Sequence, residues 1–270
     1  MSKEASGTLA EMVQLGSHPR DPANDALIYN LAERLCALRP LYEQAVAASN
    51  EDYALDVSGV ASALGISHVD LVASGQGSLF NLVELLLECA AHNVGAVSEP
   101  AMDFFSELQT VPMAVRDQRL RGPVFAQLVQ VLVTRSAKYP TVAESVDEDD
   151  FVAHRRRVKE SILDASSILS VDVLRILSEM LTASAGQWDM AEAVLFGMGC
   201  SAHEVIVQTG SDPTQRTAVA SGVTSLILDT VLTSLAPHPL VRVAGLNLVE
   251  SYAKLCVTQP DKLAEIMARV

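Results

Sequence analysis

Apolar residues recur along most of this chain at intervals of three and four residues, which is the spacing of one face of an α-helix. No segment alternates apolar and polar residues between hairpin turns, so no sheet is expected. The pattern therefore predicts an all-α protein. One such stripe, held on a single face for about five turns, consists of Trp188, Ala191, Leu195, Met198, Ala202 and Val205.

Glycine- and proline-rich breaks separate the stripes and set the bounds of the predicted helices. Residues 1–26 contain two prolines and little periodicity, so they are expected to form a flexible leader. Most connections are short, which makes successive helices antiparallel neighbours. The predicted helices cover 27–49, 52–64, 79–93, 98–109, 121–139, 149–170, 171–184, 188–208, 214–235 and 239–256, with another starting near 260.

Taken in pairs, these helices make about five hairpins, with a spacing close to the roughly 40–47 residues of HEAT repeats. Apolar helices such as 217–235 alternate with more charged ones such as 149–160. The order Pro, Val-Arg, Ala at 239–244 is common in the second helix of a HEAT hairpin. These features favour a single right-handed α-solenoid segment over residues 27–270, while a compact helical bundle explains the same helices.

Composition and charge narrow the classes of function. The chain is 49% hydrophobic and 19% charged, which excludes a wholly disordered chain. Its 19 Lys and Arg residues face 33 Asp and Glu residues, for a net charge of −14. Nonspecific binding to nucleic acid or to an anionic membrane needs the opposite sign. A basic protein partner suits this charge better.

The cysteines and the chain start give no sign of secretion. Cys36, Cys89, Cys200 and Cys256 lie far apart within apolar helical patterns, so they are predicted to be buried hydrophobic residues in a reducing compartment. The N-terminus lacks the basic flank and apolar run of a signal peptide. The stretch 217–236 has one charge, but its Ser and Thr residues favour a buried helix over a membrane span.

No catalytic, metal or cofactor pattern emerges from the sequence. His203-Glu204 begins like the HExxH zinc motif, but Val207 stands where the second histidine is needed. The GxG pairs at 75–77 and 197–199 follow no predicted strand, so nucleotide binding is not indicated. The sequence predicts a protein that is not an enzyme and has no cofactor.

Two charged runs on the predicted helix 149–170 are candidate partner-binding sites. The acidic run 147–150 attracts a basic partner electrostatically, or it is a solvated loop whose last residues cap the helix. The arginine run 155–157 offers guanidinium groups to a phosphorylated cargo, or it pairs with acidic residues of this chain. Arg155 lies on the apolar stripe, so it is expected to be partly buried. The candidate residues are Asp147, Glu148, Asp149, Asp150, Arg156 and Arg157.

Trp188 and the Phe104-Phe105 pair admit two interpretations. They could line grooves that receive an aromatic peptide side chain, or they anchor helices in the core. Aromatic residues make up only 4% of the chain, which favours core anchoring.

Three stretches, taken in order, point to a known family. The first has GQG at 75–77, LVELLLECAAH at 82–92 and FFSEL at 104–108; the second is DDFVAHRRRVKESILD at 149–164; the third is WDMAEAVLFGM at 188–198. Together they resemble the central HEAT repeats of the transportin-SR branch of the importin-β superfamily of nuclear transport receptors.

The stretches differ in how closely they match the family. The first is similar to a GQG loop followed by an LxLLLxCAGH helix. The second resembles DDFxxFRxRVxDLxxD, with His154 in place of the second aromatic residue. The third matches WxxxEAxLFxM and is the most specific, and 238–263 follows at the spacing that the family leads one to expect. The resemblance covers roughly 50–270 and is weaker from 27.

This resemblance implies a superhelical carrier that shuttles between cytoplasm and nucleus. It implies binding of the GTPase Ran in its GTP form, of FG-repeat nucleoporins and of cargo such as Arg/Ser-rich splicing factors. Family members are much longer chains, so the resemblance places the main Ran-binding repeats before residue 1 and the arginine-rich cargo helix after residue 270. The alternative is a freestanding helical-repeat scaffold. In either case an uncapped solenoid end is expected to promote self-association.

Overall fold

Helix-forming apolar stripes dominate the chain, and the structure, a computed structural model, describes residues 22–139, 148–184, 186–210, 212–231 and 238–269. Every regular element in these ranges is a helix, and none of them contains a strand. The predicted all-α class is therefore confirmed. The described residues form two compact units: unit 1 comprises 22–136 and 148–161, and unit 2 comprises 137–139 and the described residues from 162 onward.

Unit 1 is built from successive helices with short connections. One of them, Gly122–Val131, is preceded by a 3₁₀ turn at Gln118–Leu120 and extended by a π-type turn at Leu132–Ser136. The helices are α1 (Pro22–Cys36), α2 (Arg39–Ala47), α3 (Glu51–Ser67), α4 (Val69–Val72), α5 (Ser78–Ala90), α6 (Gly95–Thr110), α7 (Gly122–Val131) and the first part of α8 (Glu148–Leu169).

The longer helices of unit 1 pack on their sequence neighbours in a regular way. Helix α1 packs on α3 and α5, α3 on α5 and α6, and α5 on α6 and α7. The α3–α6 pair is close because Gly65 leaves room for a ring: a Cβ there would lie 2.7 Å from Phe104 Cδ2. Among the largest fully buried side chains are Leu64, Leu82, Leu86, Phe104, Phe105 and Phe125.

Unit 2 shows this arrangement in part. After the end of α8, its helices are α9 (Asp172–Ala183), α10 (Trp188–Thr209), α11 (Pro213–Leu226, continued by a π-type turn at Ile227–Val231), α12 (Pro239–Ser251), α13 (Ala253–Cys256) and α14 (Pro260–Arg269). Helix α9 packs on α10, α10 on α11 and α12, and α11 on α13 and α14. The buried Tyr252 hydroxyl donates a hydrogen bond to the Met198 carbonyl (3.2 Å), which fixes the end of α12 against α10.

Helix positions agree with the sequence pattern, and three bounds differ for local reasons. The predicted helix 27–49 is two helices, because Pro40 has no N–H with which to continue α1. Helix α6 begins at Gly95, three residues before the predicted start at 98, and continues through Pro100. Residues 239–256 form α12 and α13, which meet at Tyr252.

Most of the predicted leader, residues 1–26, lies outside the described residues. Helix α1 begins at Pro22, so its first residues fall within the range predicted for the leader. That 27–270 forms one α-solenoid segment stays a prediction.

Within the described ranges, one helix, Trp188–Thr209, is long and apolar enough to cross a membrane. Its most apolar window is 61% buried, as in the core helix of a folded domain, so it is weak support for a membrane span. The stretch 217–236, predicted to be a buried helix, runs past the described residues after 231.

Candidate protein interaction surfaces

The acidic run occupies the start of α8. Glu148, Asp149 and Asp150 form its first turn and are exposed, whereas Asp147 lies outside the described residues. Carboxylates at this end of a helix interact favourably with the partial positive charge of the free N–H groups. The three residues can therefore stabilise α8 and still face solvent, so both interpretations of the run stay open.

One exposed face of α8 carries both signs of charge. Asp149, Val152, Arg156 and Lys159 follow one another at intervals of three, four and three residues, and all are exposed. Val152 keeps 52% of its surface exposed. Arg156 has no ion-pair partner within the part of the chain that the structure describes. We call these four residues the α8 face. It offers one carboxylate, one apolar side chain and two cations in sequence along two to three helical turns.

Arg157, unlike Arg156, is paired with acidic residues of this chain. Its guanidinium forms ion pairs with Asp103 of α6 and with Glu160 one turn further along α8. The structure thus confirms intramolecular pairing for Arg157, and its contribution is to tie α8 to α6.

The sequence pattern placed Arg155 on the apolar stripe of α8, but His154 is the residue that is buried at this point of the helix. Its side chain is 5% exposed, and Nδ1 lies 4.0 Å from Glu99 Oε1 on α6. Arg155 is half-buried with its guanidinium 5.5 Å from the centre of the Phe151 ring. Partial burial of Arg155 is confirmed. The spacing of His154 and Val158, four residues apart, was the signal that would have revealed the histidine.

Trp188 lies at the edge of unit 2, not in its core. It is 38% exposed, and its ring stacks on that of His238 with centroids 3.8 Å apart and planes at 10°. The Tyr139 ring lies 6.5 Å away. Core anchoring is therefore wrong for Trp188, because the first residue of a helix has no preceding turn to cover it.

For Phe104 and Phe105 core anchoring is confirmed. Both rings are fully buried, with centroids 5.1 Å apart in an edge-to-face arrangement. Neither ring can line an open groove.

An ion pair adjoins the aromatic cluster. Lys138 Nζ lies 2.8 Å from Asp189 Oδ2, and the Met190 N–H also donates to the Asp189 carboxylate. Burial by itself raises the pKa of Asp189, but the hydrogen bonds from Lys138 and Met190 outweigh it and hold that pKa below its ordinary value. Asp189 is therefore a charged anchor at the start of α10.

The GQG loop is a junction between three segments of unit 1. Gly75 has a positive φ of 63°, and a Cβ there would lie 2.6 Å from Asp117 Cβ. Arg119 donates to the Gly75 carbonyl (2.6 Å) and stacks on Phe80 at 3.9 Å. Tyr29 of α1 donates to the Gln76 side chain (3.3 Å). These contacts explain the GQG motif by packing.

Nothing in the described ranges groups three or more His, Cys, Asp or Glu side chains in a way that could hold a metal ion. Cys89, Cys200 and Cys256 are buried and Cys36 is half-buried. Burial raises the pKa of the Cys36 thiol to about 11 and that of Cys89 to about 12. These two thiols stay protonated near neutral pH and are poor nucleophiles.

No protein-family model matches the chain, and no curated protein matches it.

Proposed function

We propose that this chain is a non-enzymatic, protein-binding segment of a nuclear transport receptor that resembles transportin-SR. In the context of a longer receptor it binds Ran in the GTP form, protein cargo and FG nucleoporins. The observation that carries the protein-binding part is the packing order in unit 1, where α1, α3 and α5 each pack on the next long helix and on the next but one; in unit 2, α10 packs in the same way on α11 and α12.

This packing order is the one that a stack of helical hairpins requires. Each helix contacts its partner within the hairpin, which is the next helix, and the equivalent helix of the following hairpin, which is the next but one. Such stacks form extended α-solenoids whose surfaces bind other proteins. The order therefore supports the proposal of HEAT-like repeats.

The transport part of the proposal rests on the three sequence stretches. They fall in order on α5 and α6, on α8 and on α10, and the segment 238–263 supplies α12 and α13. The net charge of −14 suits basic cargo such as Arg/Ser-rich proteins.

Ran binding is the decisive test of the transport proposal. The affinity of the complete receptor for Ran loaded with a non-hydrolysable GTP analogue and with GDP is measured by calorimetry. We expect the GTP form to bind at least about ten-fold tighter, a difference of about 1.4 kcal/mol. Equal binding of the two forms, or no binding of either, overturns the transport proposal.

The second candidate is a freestanding helical-repeat scaffold, favoured by the same packing and requiring no Ran. The gene separates the two candidates cheaply. Coding sequence that continues on both sides of this segment supports a receptor, and an isolated reading frame supports the scaffold.

The acidic run is the proposed contact for a basic partner. Replacing Asp147, Glu148, Asp149 and Asp150 by Asn or Gln is expected to weaken binding of an Arg/Ser-rich peptide and to flatten its dependence on salt, because fewer charges are screened. Arg156→Gln, on the same helix, serves as the control for a change that does not remove negative charge. Unchanged affinity and salt dependence in the neutralised variant would show that the run only caps α8.

A further inference from the structure

The loop between α6 and α7 exposes a run of apolar side chains. Pro112, Met113, Ala114 and Val115 are all exposed, Met113 by 43% and Val115 by 63%. Among the residues that the structure describes, no other stretch has four consecutive exposed apolar residues. We call residues 112–115 the apolar tip. Exposed apolar clusters of this kind mark interaction sites on stable proteins.

A buried arginine holds the apolar tip in one shape. Arg116 is only 4% exposed, and its guanidinium donates to the carbonyls of Val111 (2.7 Å) and Gln109 (2.6 Å) at the end of α6. The Val115 N–H donates to the Pro112 carbonyl (3.0 Å), which closes the turn. Burial, together with the charge of Arg121, lowers the pKa of Arg116, so desolvation of this cation opposes its position.

The far end of the loop is anchored as well. The Asp117 N–H donates to the Ala73 carbonyl (2.8 Å), which joins the loop to the residue that follows α4. The tip is thus a short rigid turn between two fixed points. A preorganised surface loses little conformational entropy when it binds, which favours affinity.

The loop is basic, although the chain is acidic. Between residues 112 and 123 there are three arginines and one aspartate, a net charge of +2, against −14 for the whole chain. Arg119 pairs with Asp117, whereas Arg121 forms no salt bridge within the described ranges and acts on Asp117 only at longer range. Arg121 Nε donates to the Arg116 carbonyl (3.1 Å), so its guanidinium lies beside the tip.

We propose that the apolar tip and Arg121 form a docking site for an acidic segment of a partner protein. An apolar side chain of that segment packs on Met113 and Val115, and a carboxylate pairs with Arg121. Methionine adapts its shape to a partner, and an arginine fork binds a carboxylate through two parallel hydrogen bonds. The inference rests on the protein-binding part of the proposed function and does not require Ran.

Charge decides between an acidic peptide and other occupants. A basic segment would be repelled by Arg119 and Arg121, and it would bind more favourably to acidic surfaces elsewhere on a chain of charge −14. Nucleic acid and anionic lipid carry a dense negative charge over an extended surface, which the rest of the molecule repels, whereas a short acidic segment meets only the basic loop.

A random-peptide display library is selected against the full chain, and the recovered peptides are measured by fluorescence polarisation. We expect peptides enriched in Asp and Glu next to apolar residues. Met113→Ser combined with Val115→Ser, and separately Arg121→Glu, should each weaken their binding by at least about ten-fold. Arg121→Glu should also reduce the salt dependence of the affinity.

The matched controls lie on α12, where Arg242 and Val243 are also exposed. Arg242→Glu and Val243→Ser should leave peptide affinity within about two-fold of the wild type. The proposal is overturned if no peptide is enriched, if the recovered peptides are not acidic, or if they bind the tip variants and the wild type equally. It is also overturned if phosphatidylserine vesicles bind through the same residues and peptides do not. Failure of the Ran experiment leaves it standing.

Discussion

Gly75 shows how a single residue sets a junction in unit 1. Its backbone has a positive φ, which an L side chain adopts at a cost of about 1–2 kcal/mol. The space where a Cβ would lie is filled by Asp117. Both effects act at one position, so no other amino acid fits there without movement of the loop 111–121.

Gly75→Ala is expected to lower the free energy of unfolding by about 2–4 kcal/mol, because backbone strain and a clash with Asp117 add. Gly122→Ala is the matched control, since no atom lies within 4 Å of its Cβ position at the start of α7. That change should be neutral or slightly stabilising. Urea unfolding followed by circular dichroism measures both; equal effects would contradict the role given to Gly75.

Arg155 and Arg156 are neighbours in sequence with different surroundings. Arg155 is half-buried over Phe151, and Arg156 is exposed on the α8 face. Arg155→Ala is therefore expected to destabilise the protein by about 1 kcal/mol, through lost packing and cation–π contact. Arg156→Ala should cost less than about 0.5 kcal/mol. Thermal unfolding of the two variants compares them directly, and equal losses would show that the assignment of faces on α8 is wrong.

An ion pair between Asp189 and Lys138 holds the start of α10 in place. Asp189 joins the first turn of α10 to Lys138, and its pKa is lower in the folded chain than its ordinary value. A carboxylate of this kind stabilises the folded state above its unfolded pKa, and the contribution is lost as the pH falls through the folded pKa.

Asp189→Asn should therefore lower the melting temperature at pH 7 by about 2–4 °C, equivalent to about 1 kcal/mol at most. The difference from the wild type should begin to shrink near the unfolded Asp pKa of about 3.9 and close as the pH falls further, through the lowered pKa of the folded carboxylate. Asp172→Asn is the control, because Asp172 is mostly exposed and its distance to Arg175 is 3.7 Å. A difference for Asp189→Asn that persists unchanged into acid would contradict an electrostatic origin.

For the whole molecule, the proposed stack of helices predicts a larger radius of gyration than that of a compact domain of the same length. A compact domain of 270 residues has a radius of gyration of about 18 Å. A continuous α-solenoid is longer in one direction, so small-angle X-ray scattering should give a clearly larger radius and an asymmetric distance distribution. A compact bundle would give a value near the globular one and would contradict the solenoid.

The sequence by itself determined the all-α class and most helix positions, because helical periodicity and proline or glycine breaks act over a few residues. It also indicated that Arg157 pairs within the chain and that Phe104 and Phe105 are core residues. These inferences needed only local spacing and composition.

Tertiary structure decided which face of each helix is covered. It buried His154 against α6 where the pattern placed Arg155, left Trp188 at an edge, and put Gly75 against Asp117. It also joined Arg116 to the end of α6, which gives the apolar tip its shape. The burial of His154 and the packing of Gly75 depend on contacts between elements distant in sequence, and helical spacing carries no information on which neighbour a face will meet.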